Sequence, residues 1–175
     1  MNPKEPSKIK VFNLKKPTYT SIDLSLLNQV SEQAATSTRT RMNYNFHQLE
    51  DRVQRFLNAI EPGSYVQPHR HKEPLRDESF VILRGRGSVF IFDDQGNIQD
   101  CIILNSEAGS LGIDIPGGVF HSILSLEKGS VFFEVKPGPY IPIADKDFAS
   151  WAPKENTAEA ILFLKNLEKI ALSQL

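Results

Sequence analysis

The side chains best suited to chemistry in this 175-residue chain are its four histidines, and two of them, His69 and His71, stand one residue apart. In an extended strand, residues i and i+2 project from the same face, so both imidazoles could reach one ion at about 2.0–2.2 Å. A bare His-x-His is as often a solvent-exposed pair. The setting weights this one toward ligation: the pair closes the string Gly63-Ser64-Tyr65-Val66-Gln67-Pro68-His69-Arg70-His71, Glu78 opens the next apolar strand, and Gly85 ends it. His121 follows the sharp turn Pro116-Gly117-Gly118. A single cysteine, Cys101, excludes an intrachain disulfide and a thiolate cluster, so a metal site must use imidazole and carboxylate.

These segments resemble the cupin superfamily, whose first motif runs Gly, five residues, His-x-His, a few residues, Glu, six residues, Gly. Gly63, His69, His71, Glu78 and Gly85 meet it, and Pro116, Gly118 and His121 meet the second motif, Pro-x-Gly-x-x-His. There are two departures. Six residues separate His71 from Glu78 where the family has three or four, so Glu73 and Asp77 compete as the carboxylate; and Ser125 stands where the second motif ends in Asn. The strings Arg41 to His47, Pro62 to His71, Lys136-Pro137-Gly138-Pro139-Tyr140 and Trp151 to Glu155 are similar to the WbuC-type cupin-fold metalloproteins over most of residues 22–155. The resemblance implies a cupin double-stranded β-helix, a jelly-roll barrel, with His69, His71, Glu78 and His121 as metal ligands. It also implies a setting in bacterial surface-polysaccharide (O-antigen) biosynthesis, but no particular reaction.

Three neutral imidazoles and one carboxylate form a mixed N/O shell suited to one divalent transition metal ion, Fe, Zn, Mn or Ni, with Cu also compatible, rather than to Ca or Mg. On an octahedral ion such a shell leaves two adjacent positions for water or substrate oxygen, whereas tetrahedral zinc would be closed and structural. Around it, Arg41, Asn43, Asn45 and His47 alternate with Met42, Tyr44 and Phe46, which gives a strand one purely polar side. That side reads either as a solvent-facing edge or as the barrel mouth; in the second case Arg41 binds an anionic oxygen, His47 serves as acid or base, and Asn43 and Asn45 contact substrate. Gln67 shares the parity of His69 and is expected to line the pocket, while Arg70 points away into solvent or a salt bridge. Lys136 and Tyr140, at the end of the last strand, read as a barrel-end turn or as substrate contacts. Trp151 reads as a packing anchor and Cys101 as an inert core thiol.

The elements that position these residues are short. Between Arg41 and Lys136, apolar or alternating runs are broken by Gly, Pro, Asp and Asn: 55–60, 79–84, 88–93, 98–104, 110–115, 122–126 and 130–136. No helix-length pattern interrupts them, so the expectation is mainly β, a barrel or jelly roll, with Gly85-Arg86-Gly87 and Asp93 to Asn97 as hairpins. Before this barrel (41–140), residues 1–40 supply a Pro/Lys-rich arm and a helix capped by Thr20, carrying Leu27, Val30 and Ala34. After it, residues 141–175 supply an extension and a second helix with Asn156 and Glu159 as a capping-box variant and the stripe Ala160, Leu164, Leu167, Ala171. The whole reads as one domain.

The balance of 20 basic and 21 acidic residues gives no footprint for nucleic acid. The chain carries no signal-like leader and no membrane-length apolar run, so a cytoplasmic protein is expected, and the amphipathic helices make a homodimer the expected assembly. The leading functional expectation is a metal-dependent isomerase, epimerase or lyase acting on a small sugar, nucleotide sugar or sugar acid. An Fe(II) dioxygenase and a non-catalytic metal-bearing carbohydrate-binding or regulatory module are the alternatives.

Overall fold

The computed structural model describes residues 19–140 and 146–175, and the Pro/Lys-rich arm with Pro3, Pro6 and Pro17 falls outside the described residues. Helix α1 (Leu24–Thr36) precedes β1 (Arg41–Asn45), β2 (Val53–Ile60), β3 (His69–Arg70), β4 (Glu78–Arg84), β5 (Arg86–Phe92), β6 (Ile98–Asn105), β7 (Gly112–Ile115), β8 (Phe120–Ser125), β9 (Ser130–Pro137) and β10 (Asp147–Phe148); helix α2 (Ala158–Leu172) follows. The strands form two antiparallel sheets of order β1-β2-β9-β4-β7 and β10-β3-β8-β5-β6. From β2 to β10 the chain passes back and forth between them, the winding of a jelly roll, so the expected mainly β barrel with a helix at each end is the observed fold.

Alternation along the strands sorts the side chains into three apolar clusters. Between the sheets lie Ile60, Phe80, Ile82, Val89, Ile123 and Phe132 with their neighbours. On the outer face of the first sheet, Leu57, Ala59 and Val131 meet Leu27, Val30 and Ala34 of α1, and Met42, Tyr44 and Phe46 of β1 pack against the same cluster. On the outer face of the second, Phe90, Phe92, Phe120 and Leu124 meet the α2 stripe Ala160, Leu164, Leu167 and Ala171, with Trp151 packed against them. Each fully buried aliphatic or aromatic side chain contributes about 1.5–3 kcal/mol, so the two helices close otherwise open sheet faces.

Local details differ from the sequence reading in three places. The α1 cap is Asp23, whose Oδ1 accepts from the Leu26 N–H at 3.0 Å; the helix therefore starts one turn after Thr20, where a carboxylate also meets the positive end of the helix dipole. The α2 cap is Thr157, which accepts from Ala160 N–H at 3.2 Å, while Asn156 takes φ 66° in the turn before it. Gly85 is not a hairpin residue. Its neighbours β4 and β5 belong to different sheets, and at φ +79°, with Ser130 where a side chain would go, it is the corner by which the chain changes sheets. Asp93 to Asn97 does join the paired strands β5 and β6, with Asp93 Oδ1 accepting from Gln95 and Asn97 N–H.

Candidate metal centre

His69 and His121 face each other across the β3–β8 pair, and His71 follows one residue after β3. Glu78 opens β4 in the opposite sheet, so the site is drawn from both sheets. The ligating atoms of His69, His71, Glu78 and His121 all lie within 4.8 Å of one another, and none of the four residues is more than 3% exposed.

The hydrogen bonds orient the imidazoles. His69 Nδ1 lies 3.0 Å from Gln67 O and His121 Nδ1 lies 3.0 Å from Val119 O. A carbonyl only accepts, so Nδ1 carries the proton in each ring and Nε2 keeps its lone pair. Glu78 Oε2 is 2.8 Å from His121 Nε2 and 3.3 Å from His71 Nε2. Two donors each about 2.1 Å from one ion stand roughly 3 Å apart when at right angles, so these separations fit a common ion. Burial, then Lys146 and the neighbouring imidazoles, hold His69 well below the ordinary histidine value and hence neutral, the form a metal requires.

The carboxylate ambiguity left by the long loop resolves on burial. Glu73 and Asp77 are exposed, and Asp77 Oδ1 instead accepts from Gly117 N–H at 2.9 Å, fixing the turn ahead of His121. Ser125, in the position of the motif's Asn, is buried and donates to Glu127 O at 2.7 Å.

Glu78 Oε1 turns away from the histidines to Lys136 Nζ, 3.2 Å off, and the same ammonium lies 3.4 Å from Glu134 Oε1. Burial opposes the ionisation of Glu78, but the Lys136 charge, a hydrogen bond from Glu134 and the facing His121 and His71 rings outweigh it, and the group stays well below the usual carboxylate range. Glu134 moves the other way: burial and the Glu78 charge raise it well above that range, against the pull of Lys136. Its carboxyl therefore keeps a proton and donates to Glu78, while Oε2 accepts from Asn58 Nδ2 at 3.0 Å. Like charges this close cannot both ionise cheaply.

Glu134 and Lys136 also form part of the wall of a cavity of about 390 Å³. Arg41, Asn43, Asn45, His47, Gln67, Lys136 and Tyr140 all line it, so β1's polar side faces the cavity rather than only bulk solvent. Arg41 is held there by the protein: it donates to Tyr65 O at 2.8 Å and to Glu155 Oε1 at 2.6 Å, tying β1 to the segment before α2. Arg70 points outward, paired with Asp94 and Asp147 and stacked over Phe120. Burial, then Asp100, pushes the Cys101 thiol up to about 11, consistent with an inert core residue.

The cavity residues not singled out in the sequence include Glu134, Asn58, Gln54, Lys146 and Glu155. A signal existed for Glu134: it shares strand parity with Phe132 and Lys136, a charge at an inward position of an apolar strand. Lys146 and Glu155 lie in irregular segments, where no periodicity marks an inward side chain.

Residues 22–104 match a family described as a domain of unknown function (DUF6016), and no curated protein matches the chain. Among solved structures, the capsular polysaccharide assembling protein CapF from Staphylococcus aureus is similar at 23% identity and TM-score 0.52, over 65% of this chain and 32% of CapF. The fold is that of the cupins. Weaker likenesses are a point variant of oxalate decarboxylase from B. subtilis, at 19% identity and TM-score 0.47 over 62% of this chain and 27% of that one, and KdgF from Halomonas sp., at 13% identity and TM-score 0.47 over 61% and 85%. The chain spans about a third of the length of CapF. Among the described residues, no helix is long and apolar enough to cross a membrane.

Proposed function

We propose that this chain is a WbuC-type cupin metalloenzyme that isomerises, epimerises or eliminates within a small oxygen-rich substrate, a sugar, nucleotide sugar or sugar acid, in bacterial surface-polysaccharide biosynthesis. One observation carries the reading: the carboxylate of the candidate metal cluster is shared with Lys136 and Glu134, and those two groups line the cavity. A divalent ion bound by the cluster would supply Lewis acidity to a carbonyl or a hydroxyl–carboxylate pair. The chain's own groups do the rest. Glu134, which holds a proton at the cavity wall, would give it to a neighbouring substrate carbon or oxygen, and the Lys136 ammonium beside it would balance the charge left on the carboxylate. Phe56 and Val66 narrow the inner wall and limit water, while Asn43, Asn45 and Gln67 are placed to orient hydroxyls.

The test is proton exchange. Metal-loaded protein incubated in D2O with sugar acids and nucleotide sugars should place deuterium at one substrate carbon, read by NMR, and Glu134→Gln and Lys136→Met should slow this by about 10²-fold or more. Dioxygen uptake on substrate addition, with no solvent deuterium incorporated, would overturn the reading in favour of an oxygenase.

A further inference from the structure

The cavity lining has a composition that narrows its ligand. By formal charge it presents four cations, Arg39, Arg41, Lys136 and Lys146, against two carboxylates, Glu134 and Glu155. A divalent ion on the adjoining cluster would add to that excess. The neutral part of the wall is built from side-chain amides on β1 and β2, with Asn43 directly opposite Asn58. Asn58 Oδ1 is a buried acceptor with no partner among the described residues, a site for a hydroxyl donor.

His47 supplies a second group. β1 ends at Asn45, and His47 Nδ1 takes up the ladder from there, 2.9 Å from the Arg55 N–H and 2.8 Å from Arg55 O. Nδ1 is thereby engaged by the β2 backbone, and Nε2 is the ring nitrogen left for the cavity that His47 lines.

Lys146 is placed by register. β10 pairs with β3 so that Phe148 lies opposite His69 and Asp147 opposite Arg70. Asp147 points outward to Arg70, and by alternation Lys146 shares the side of Phe148, whose ring lies 6.1 Å from that of His69, and lines the cavity with it. It acts electrostatically on both His69 and Glu134, between the metal cluster and the proton-carrying wall.

We infer that the cavity selects a polyhydroxy carboxylate, a sugar acid, with Lys146 beside the ion reading the carboxylate and Asn58 and His47 reading hydroxyls; this deepens the proposed function and rests on it. The Arg41 fork that a phosphate would favour is already engaged by Glu155 and Tyr65.

The experiment is calorimetric titration of the zinc-loaded full chain with glucuronate, glucose and glucose phosphate. Glucuronate should bind at least about tenfold more tightly than either of the others. Lys146→Met should remove most of that preference and keep the melting temperature; Lys146→Arg should restore much of it. The inference is overturned if the three probes bind equally, if glucose phosphate binds most tightly, if Lys146→Met keeps the preference, or if no probe binds at millimolar concentration. Protein that takes up no zinc contradicts the proposed function itself, whereas loaded protein that lacks the preference contradicts only the assignment of the ligand.

Discussion

Two halves of one barrel interior are made by the same strands. β2 contributes Ile60 to one half and Asn58 and Gln54 to the other; β4 contributes Phe80 and Ile82, then Glu78; β8 contributes Ile123, then His121; β9 contributes Phe132, then Glu134 and Lys136. All of these face inward by the same alternation, and a step of two residues along a strand exchanges hydrocarbon for amide or ionisable groups. The apolar half stabilises the fold by removing carbon from water. Glu78, His121, Glu134 and Lys136 of the polar half are buried as well, so each charge there has to be answered by another group or by an ion, since an isolated buried charge costs several kcal/mol. The difference teaches that the second half is built for a ligand set rather than for stability.

The largest break in this comparison is Glu78→Ala, which removes the common partner of Lys136, Glu134, His71 and His121. It should cost on the order of 3–5 kcal/mol in chemical denaturation and abolish metal uptake. Phe132→Ala, one strand away in the apolar half, should cost about 3–5 kcal/mol through its cavity, yet leave metal stoichiometry unchanged. A Phe132→Ala protein that folds but no longer binds metal would erase the distinction between the halves.

Acidity separates the halves next, because only one of them titrates. In chelated protein, His69 lies below the ordinary 6.5, so its contribution to stability is complete above that value and is lost as pH falls below it. Glu78, held below 4.5, adds a second loss at lower pH still. Glu134 is raised: its contribution is complete below 4.5 and is lost as pH climbs through its folded value. Melting temperature against pH should therefore fall on both sides, and Glu134→Gln should remove the alkaline limb alone. A smaller effect is expected at the cavity rim, where Glu155→Gln breaks the partly buried pair with Arg41 and should cost about 1 kcal/mol or less, read by the same melts. Ile123→Val, at about 0.5–1.5 kcal/mol, should leave the pH profile unshifted.

The apolar half and the helices were legible in the sequence because they follow periodic rules: Leu27, Val30 and Ala34 repeat at helical spacing and the strands alternate. The three histidine ligands were legible through the resemblance to the cupin motifs, while the carboxylate stood open among Glu78, Glu73 and Asp77 until burial decided it. The polar wall of β1 was legible as a face, but two destinations for it remained, and only the sheet pairing decides between them. Glu134 carried a local signal, a charge at an inward position of β9, but its role depends on β9 lying between β2 and β4, a long-range pairing that no local window contains. The caps moved from Thr20 to Asp23 and from Asn156 to Thr157 because several small polar residues stand in a row and tertiary packing selects among them. Gly85 misled for a similar reason: a glycine that permits a hairpin equally permits a corner between sheets.

The most direct test is metal analysis of the purified chain, stripped with chelator, reloaded with a divalent transition metal and measured by mass spectrometry beside the triple variant His69→Ala, His71→Ala, His121→Ala. The wild type should hold one ion per chain, lost as acid protonates the imidazoles, and the variant should hold none. Full occupancy in the variant, or a folded wild type that takes up no ion at neutral pH, would contradict the account.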